Sequence, residues 1–168
     1  DVGVIFMGMS AAAFLSLVIS IGYPQLAVTC LPRYYSLGTR KVMDAFHYAF
    51  WVDSLWMASA VAMLAAISYY FLPISEGLKT AILFGCLSAP PSAFIRMNSA
   101  IANSVRRYGL SYVPDFLYRP GLLFLYLLFA WASGMTLTTT DVLVVFVLSN
   151  LVVALGQAKE QVTQADYT

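Results

Sequence analysis

Residues 2–32 read VGVIFMGMSAAAFLSLVISIGYPQLAVTCLP and contain no charged side chain. A helix that crosses a bilayer needs roughly 20 consecutive, mostly apolar residues, and this run exceeds that. Within it Gly8, Ala12, Ser16 and Ser20 recur every four residues. Residues at that interval stack on one side of a helix, and small ones there let two backbones approach closely. Gly22, Pro24 and Gln25 then interrupt the pattern.

Beyond it lie four further apolar runs, at 45–72, 80–95, 120–140 and 142–158. The first of these holds one charge, Asp53, and the second continues as a helical pattern toward Val105. Only helices and closed barrels satisfy their backbones in lipid. A barrel would show ~10-residue alternating segments, which are missing. The expected fold is all-α and integral to the membrane, a single lobe of five transmembrane helices at about 2–32, 45–72, 78–105, 120–137 and 142–158. Pro73 and Gly77 separate the second and third helices. Pro120 suits the first turn of the fourth, and Asp141 is the expected N-cap of the fifth.

Composition agrees. The 168 residues are 61% hydrophobic and 10% charged, with mean hydropathy +0.79. Soluble domains are about 45–50% apolar and about 25% charged. The formal net charge of +1 and the lack of a basic or acidic tail give no reason to expect a nucleic-acid partner. Cys30 and Cys86 lie inside apolar runs and read as packing residues.

The distribution of charge is more informative than its sum. Arg33, Arg40 and Lys41 lie between the first two runs, and Arg106, Arg107 and Arg119 between the third and fourth. Lys159 follows the fifth. The second-to-third connection has Lys79 opposed by Glu76, and the fourth-to-fifth has only Asp141. Basic residues concentrated in alternate loops mark the cytoplasmic side. That puts Asp1 outside and the C-terminus in the cytoplasm. A chain that starts outside, with Asp1 rather than Met and no basic leader, is expected to have one more helix upstream. Trp51, Trp56, Tyr69, Tyr70, Tyr112 and Tyr118 flank run ends as interfacial belts do.

Two stretches carry a resemblance. YPQLAVTCLPRYYSLGTRK (residues 23–41), after a glycine-broken helix, resembles the second helix and following loop of the polysaccharide flippases. SVRRYG (104–109) with FLYRPGLL (116–123) resembles their basic loop between helices four and five. These belong to the multidrug/oligosaccharidyl-lipid/polysaccharide exporter superfamily, whose fold has two six-helix lobes around a central cavity. The resemblance implies helices two to six of the N-terminal lobe, with the C-terminal lobe as a partner. It also implies movement of polyprenyl-diphosphate-linked sugars across the bacterial inner membrane by alternating access, during polysaccharide biosynthesis.

The candidate site residues each have two readings. Ser88, Ser92, Arg96, Ser99 and Asn103 form a polar stripe along the third helix. The stripe lines a substrate cavity, with Arg96 facing phosphate, or it forms a helix–helix seam with Arg96 reaching the interface. Gln25 is a further cavity candidate. Pro90 and Pro91 in the same helix remove two backbone donors and predict a kink or an unwound turn. Asp53 carries a coupling proton or sodium ion, or it pairs with Arg96 or a basic loop residue. Arg33, Arg106, Arg107 and Arg119 set topology, hold lipid headgroups, or form a cationic collar.

No cofactor or metal is expected. His47 is the sole histidine, so metal sites built on several histidines are excluded. No glycine-framed serine nucleophile occurs, and the chain is not read as an enzyme. The alternatives to a flippase are a multidrug/cation antiporter of the same superfamily and a non-transporting five-helix scaffold.

Overall fold

The computed structural model describes the backbone of residues 2–36, 40–71, 73 and 75–165, and their side chains except at 35, 36, 40, 43 and 158–165. Asp1 and the side chains of Arg40 and Lys159 lie outside the described residues. Every described element is helical: α1 (Val2–Ser20), α2 (Tyr23–Ser36), α3 (Arg40–Phe71), α4 (Glu76–Ser104), α5 (Tyr108–Val113), a π-helical turn (Pro114–Tyr118), α6 (Arg119–Ala132) and α7 (Thr139–Ala165). Five stretches are long and apolar enough to cross a membrane: Val2–Ser20, Asp44–Phe71, Glu76–Ser104, Tyr108–Ala132 and Thr139–Gln157.

α4 is the centre of the bundle. The buried face of α1 consists of Gly8, Ala12, Ser16, Ile19 and Ser20, which includes all four small residues of the four-residue repeat. A Cβ added to Gly85 would stand 2.8 Å from Ala11 Cβ and 3.1 Å from the Gly8 carbonyl oxygen. The two backbones therefore touch, and only glycine at 85 allows it. Farther along, Ile19 packs with Ala89, Ala93 and Val61. Ala27 and Leu31 of α2 pack with Met97, Ile101 and Phe50. Residue numbers rise together on both partners, so α1 and α2 run parallel to α4.

The remaining directions follow from the same contacts. α7 also runs parallel to α4, with Leu143 over Gly8 beside Ala81 and Val153 and Ala154 against Ile95. α3 runs opposite: Phe50 meets Phe94 and Tyr69 lies under Lys79. Five spans of alternating direction, with odd members parallel, result from connections too short to do otherwise.

Local chemistry sets the helix ends and moves several of them from the expected places. The first helix divides at Ile21 (φ 20°) and Gly22 (φ 73°), because glycine takes left-handed backbone without a steric penalty. The fourth span begins at Tyr108 rather than at 120, since the basic elbow is itself helical through the π turn. It ends at Ala132 rather than 137. Gly134 adopts φ 66°, its N–H bonds the Trp131 carbonyl, and Met135 N–H bonds Ala130. This pair is the Schellman closure. α4 stops in the same way, with Arg106 N–H on Asn103 and Arg107 N–H on Ala102, but Arg106 holds φ 60°.

Two further expectations are narrowed. Of the kink or unwound turn expected at Pro90 and Pro91, the unwound turn is not found, and α4 continues through both prolines as helix. Packing on α1 and α7 holds the helix where two donors are lost. Asp141 is not the N-cap of α7 but the reciprocal partner of one. Thr138 Oγ1 accepts the Asp141 N–H at 3.2 Å, and Asp141 Oδ2 accepts the Thr138 N–H at 3.0 Å, a capping box.

Gly85→Val is expected to lower stability in detergent by about 1–3 kcal/mol through overpacking. Gly121→Ala, with nothing within 4 Å of the added carbon, should leave it equal or higher; thermal unfolding of both variants is the check. Arg106→Gly, which relieves left-handed backbone, should raise stability in the same measurement by about 0.5–1 kcal/mol.

Candidate functional site

One group of polar residues from the long apolar helices gathers where α4, the α5–α6 helix and α7 meet. One proline explains part of it. Pro114 has no N–H, so the Leu110 carbonyl loses the donor that an unbroken helix supplies from residue 114. Gln157 of α7 fills that vacancy, its Nε2 reaching Leu110 O at 3.3 Å and Ser99 Oγ at 3.3 Å. Just beyond, the π turn closes with Arg119 N–H on the Pro114 carbonyl. One extra residue in the turn rotates the rest of the helix about its axis, a frequent feature of functional helices.

Arg119 points into the bundle. Nη1 bonds Asp115 Oδ1 at 3.2 Å, one turn back, and Nη2 bonds Ser92 Oγ of α4 at 3.3 Å. Its guanidinium carbon lies 5.1 Å from the Phe146 ring centre on α7, close enough for cation–π attraction. The side chain is 22% exposed and Asp115 39%, so water or a ligand reaches the pair from one side. One residue thus ties three helices together. Asn150, a turn beyond Phe146, is fully buried, and neither of its amide atoms has a partner among the described residues.

The stripe on α4 divides into four kinds of residue. Ser88 is completely buried and its hydroxyl donates to the Phe84 carbonyl at 2.9 Å, which leaves it no surface to offer a substrate. Ser92 and Ser99 are used across the helix interfaces, by Arg119 and Gln157. Arg96 lies between them along the stripe, half-buried, with no hydrogen bond or ion pair among the described residues. Asn103 is half-buried, and its carbonyl takes part in the closing turn of α4.

Asp53 is exposed and accepts a hydrogen bond from the Tyr23 hydroxyl. Of its two readings, pairing with Arg96 or a loop cation is not seen among the described residues, which do not include the side chain of Arg40. The cause is helix facing. α3 meets α4 through Phe50 and Trp51 on Phe94 and through Phe50 on Met97, whereas Arg96 leaves α4 on the Ser92–Ser99 side. Gln25 is exposed, and its carbonyl accepts the Thr29 hydroxyl at 2.9 Å. Arg33, Arg106 and Arg107 are exposed at one common end of the bundle, the end at which the parallel α2 and α4 both finish.

Sequence reasoning passed over Gln157, Asn150 and Asp115. The signals were present: Asn150 and Gln157 are seven apart in an uncharged run, hence on one face, and Asp115 precedes Arg119 by four. No protein-family model matches this chain, and no curated protein or solved structure does either.

Arg119→Leu strands Asp115 and Ser92 and is expected to lower stability by about 1–3 kcal/mol. Adding Asp115→Leu should recover part of the loss, so that the double variant costs less than the sum of the singles; thermal unfolding of the four proteins tests this.

Proposed function

We propose that this chain is one lobe, helices two to six, of a two-lobe transporter that flips polyprenyl-diphosphate-linked oligosaccharide across the bacterial inner membrane. Alternating access would present the Arg96 side of α4 to the two leaflets in turn, with Asp1 outside and the C-terminus in the cytoplasm. The observation that carries this reading is Arg96, a half-buried guanidinium on a spanning helix with no hydrogen bond or ion pair among the described residues. A charged group at that depth is costly unless something neutralises it. A diphosphate supplies two anionic groups with the geometry that guanidinium binds in bidentate fashion. The polyprenyl tail stays in lipid, so only the headgroup needs a polar route.

Two features support the direction of travel. Arg33, Arg106 and Arg107 stand at one end of the bundle, where they would concentrate an anionic headgroup at the cytoplasmic surface. Arg119, held by Asp115 and Ser92, carries that positive character inward along the same face of α4.

The test is translocation of a fluorescent polyprenyl-diphosphate oligosaccharide by the intact protein in liposomes. The wild type should move it, and Arg96→Ala should slow it about tenfold or more, as expected for losing ~1.5 kcal/mol or more of charged hydrogen bonding. Arg96→Lys should retain part of the rate. Equal rates for wild type and Arg96→Ala would sink the reading. Efflux of organic cations without lipid movement would point instead to an antiporter.

A further inference from the structure

At the end of the bundle away from Arg33, Arg106 and Arg107, α3 finishes and α4 begins. A shallow cleft of about 170 Å³ lies between the two helices there, lined by Ala65 and Tyr69 of α3 and by Lys79, Ile82 and Leu83 of α4. Its floor is apolar. Ala65 is buried, Ile82 half-buried and Leu83 exposed, so the cleft opens on the outer surface of the bundle. On helices of membrane length that surface faces lipid. A gap left between packed side chains forfeits dispersion contacts unless something fills it.

We propose that this cleft seats one phospholipid with a primary-amine headgroup, of the phosphatidylethanolamine type. Its acyl chain lies on Ala65, Ile82 and Leu83, and its headgroup on Lys79 and Glu76. This inference stands apart from the substrate reading and needs no lipid-linked sugar.

The seat for the headgroup is already arranged. A lysine at a membrane surface ordinarily extends its ammonium into water. Lys79 instead folds back: Nζ lies 5.5 Å from the centre of the Tyr69 ring and 2.9 Å from Glu76 Oε1. Its side chain is 21% exposed, whereas that of Glu76 is 82% exposed. Ring and carboxylate thus hold the cation at the mouth of an apolar cleft, at the level where Tyr69 and Tyr70 stand as interfacial aromatics. An exposed ion pair of this kind contributes little to stability, so exchanging part of it for a ligand's charges costs little.

Charge selects the headgroup. Phosphatidylethanolamine carries a phosphate anion and an ammonium cation a few bonds apart, and Lys79 and Glu76 present the opposite signs side by side. A lysine ammonium has three donors. One goes to Glu76 Oε1, and a phosphate oxygen takes another. The Glu76 carboxylate accepts from the lipid's ammonium. A phosphatidylcholine headgroup has no N–H to donate and makes only the phosphate half. A purely anionic headgroup fits worse. Asp141 stands at this same end, two residues before the Leu143 that covers Gly8 beside Ala81. Lys79 is the only basic side chain there among the described residues, against Glu76 and Asp141.

The test is native mass spectrometry of the intact protein in mild detergent, offered an equimolar mixture of dioleoyl phosphatidylethanolamine, phosphatidylcholine and phosphatidylglycerol. Phosphatidylethanolamine should be retained over the other two by about threefold or more, the range of one exposed charged contact. Glu76→Ala should erase the preference over phosphatidylcholine, and Lys79→Gln should lower retention of both. Equal retention of the three lipids by the wild type overturns the proposal. So does a preference for phosphatidylglycerol, or an ethanolamine preference that survives Glu76→Ala. A second measurement needs no substitution: phosphatidylethanolamine with a photoactivated diazirine in its acyl chain, cross-linked to the wild type in liposomes. Adducts concentrated at Ala65–Tyr69 and Ile82–Leu83 support the seat, and adducts spread evenly over the lipid-facing helices overturn it.

Discussion

The close approach of α1 to α4 governs how every other helix of this molecule is placed. Ala11 and the Gly8 carbonyl lie where a Gly85 side chain would be, so the two helices meet backbone to backbone. In lipid, apolar side chains gain little by burying one another, and association relies on packing and hydrogen bonds. A smooth groove of Gly, Ala and Ser offers the largest contact for the least side-chain ordering. Once α1 and α2 are laid along α4, the short connections leave α3 and the α5–α6 helix only the antiparallel positions. Leu143 over Gly8 then sets α7 against the same seam.

Pro114 shapes the interior by creating a vacancy. A proline inside a helix frees a carbonyl of its backbone donor, and a neighbour can satisfy it. Pro114 frees Leu110, and Gln157 from α7 answers. The adjoining π turn aims Arg119 at Ser92 rather than out toward the headgroups. The cationic interior of the α4 face is thus a consequence of how one helix accommodates its own missing donors. Asn150, buried with both amide atoms unpartnered, lies along the same seam and adds to its polarity.

Much of the architecture was legible from residue order. The five apolar spans, the buried four-residue repeat of α1 and the interruption at Gly22 were all written in composition and spacing. The ends of the fourth span were not. A basic, proline-bearing elbow reads as a loop, because nothing local reveals that a π turn lets the helix continue through Pro114. Likewise Pro90 and Pro91 allow either a kink or an unwound turn, and the packed helix runs through them without unwinding. Asp141 was recognised as belonging to a helix start, but Thr138 holds the capping position. A cap depends on which residue leaves helical backbone first, and spacing alone does not set that.

The residues of the candidate site were legible as types and not as partners. Residue order alone requires a set of membrane-length helices, small residues along one face of the first, and a shared face for Ser92, Arg96 and Ser99 on the third long helix. Those properties follow from hydropathy and from a period of 3.6 residues. It took the packed bundle to turn Arg119 inward to Ser92, to bring Gln157 to Leu110, and to join Asp53 to Tyr23 instead of Arg96. Such contacts join residues 27 to 47 positions apart, and they depend on the rotation of each helix about its axis. That rotation is set by a backbone contact at Gly85 and an extra residue in a π turn, and neither has a periodic signature to be read in advance.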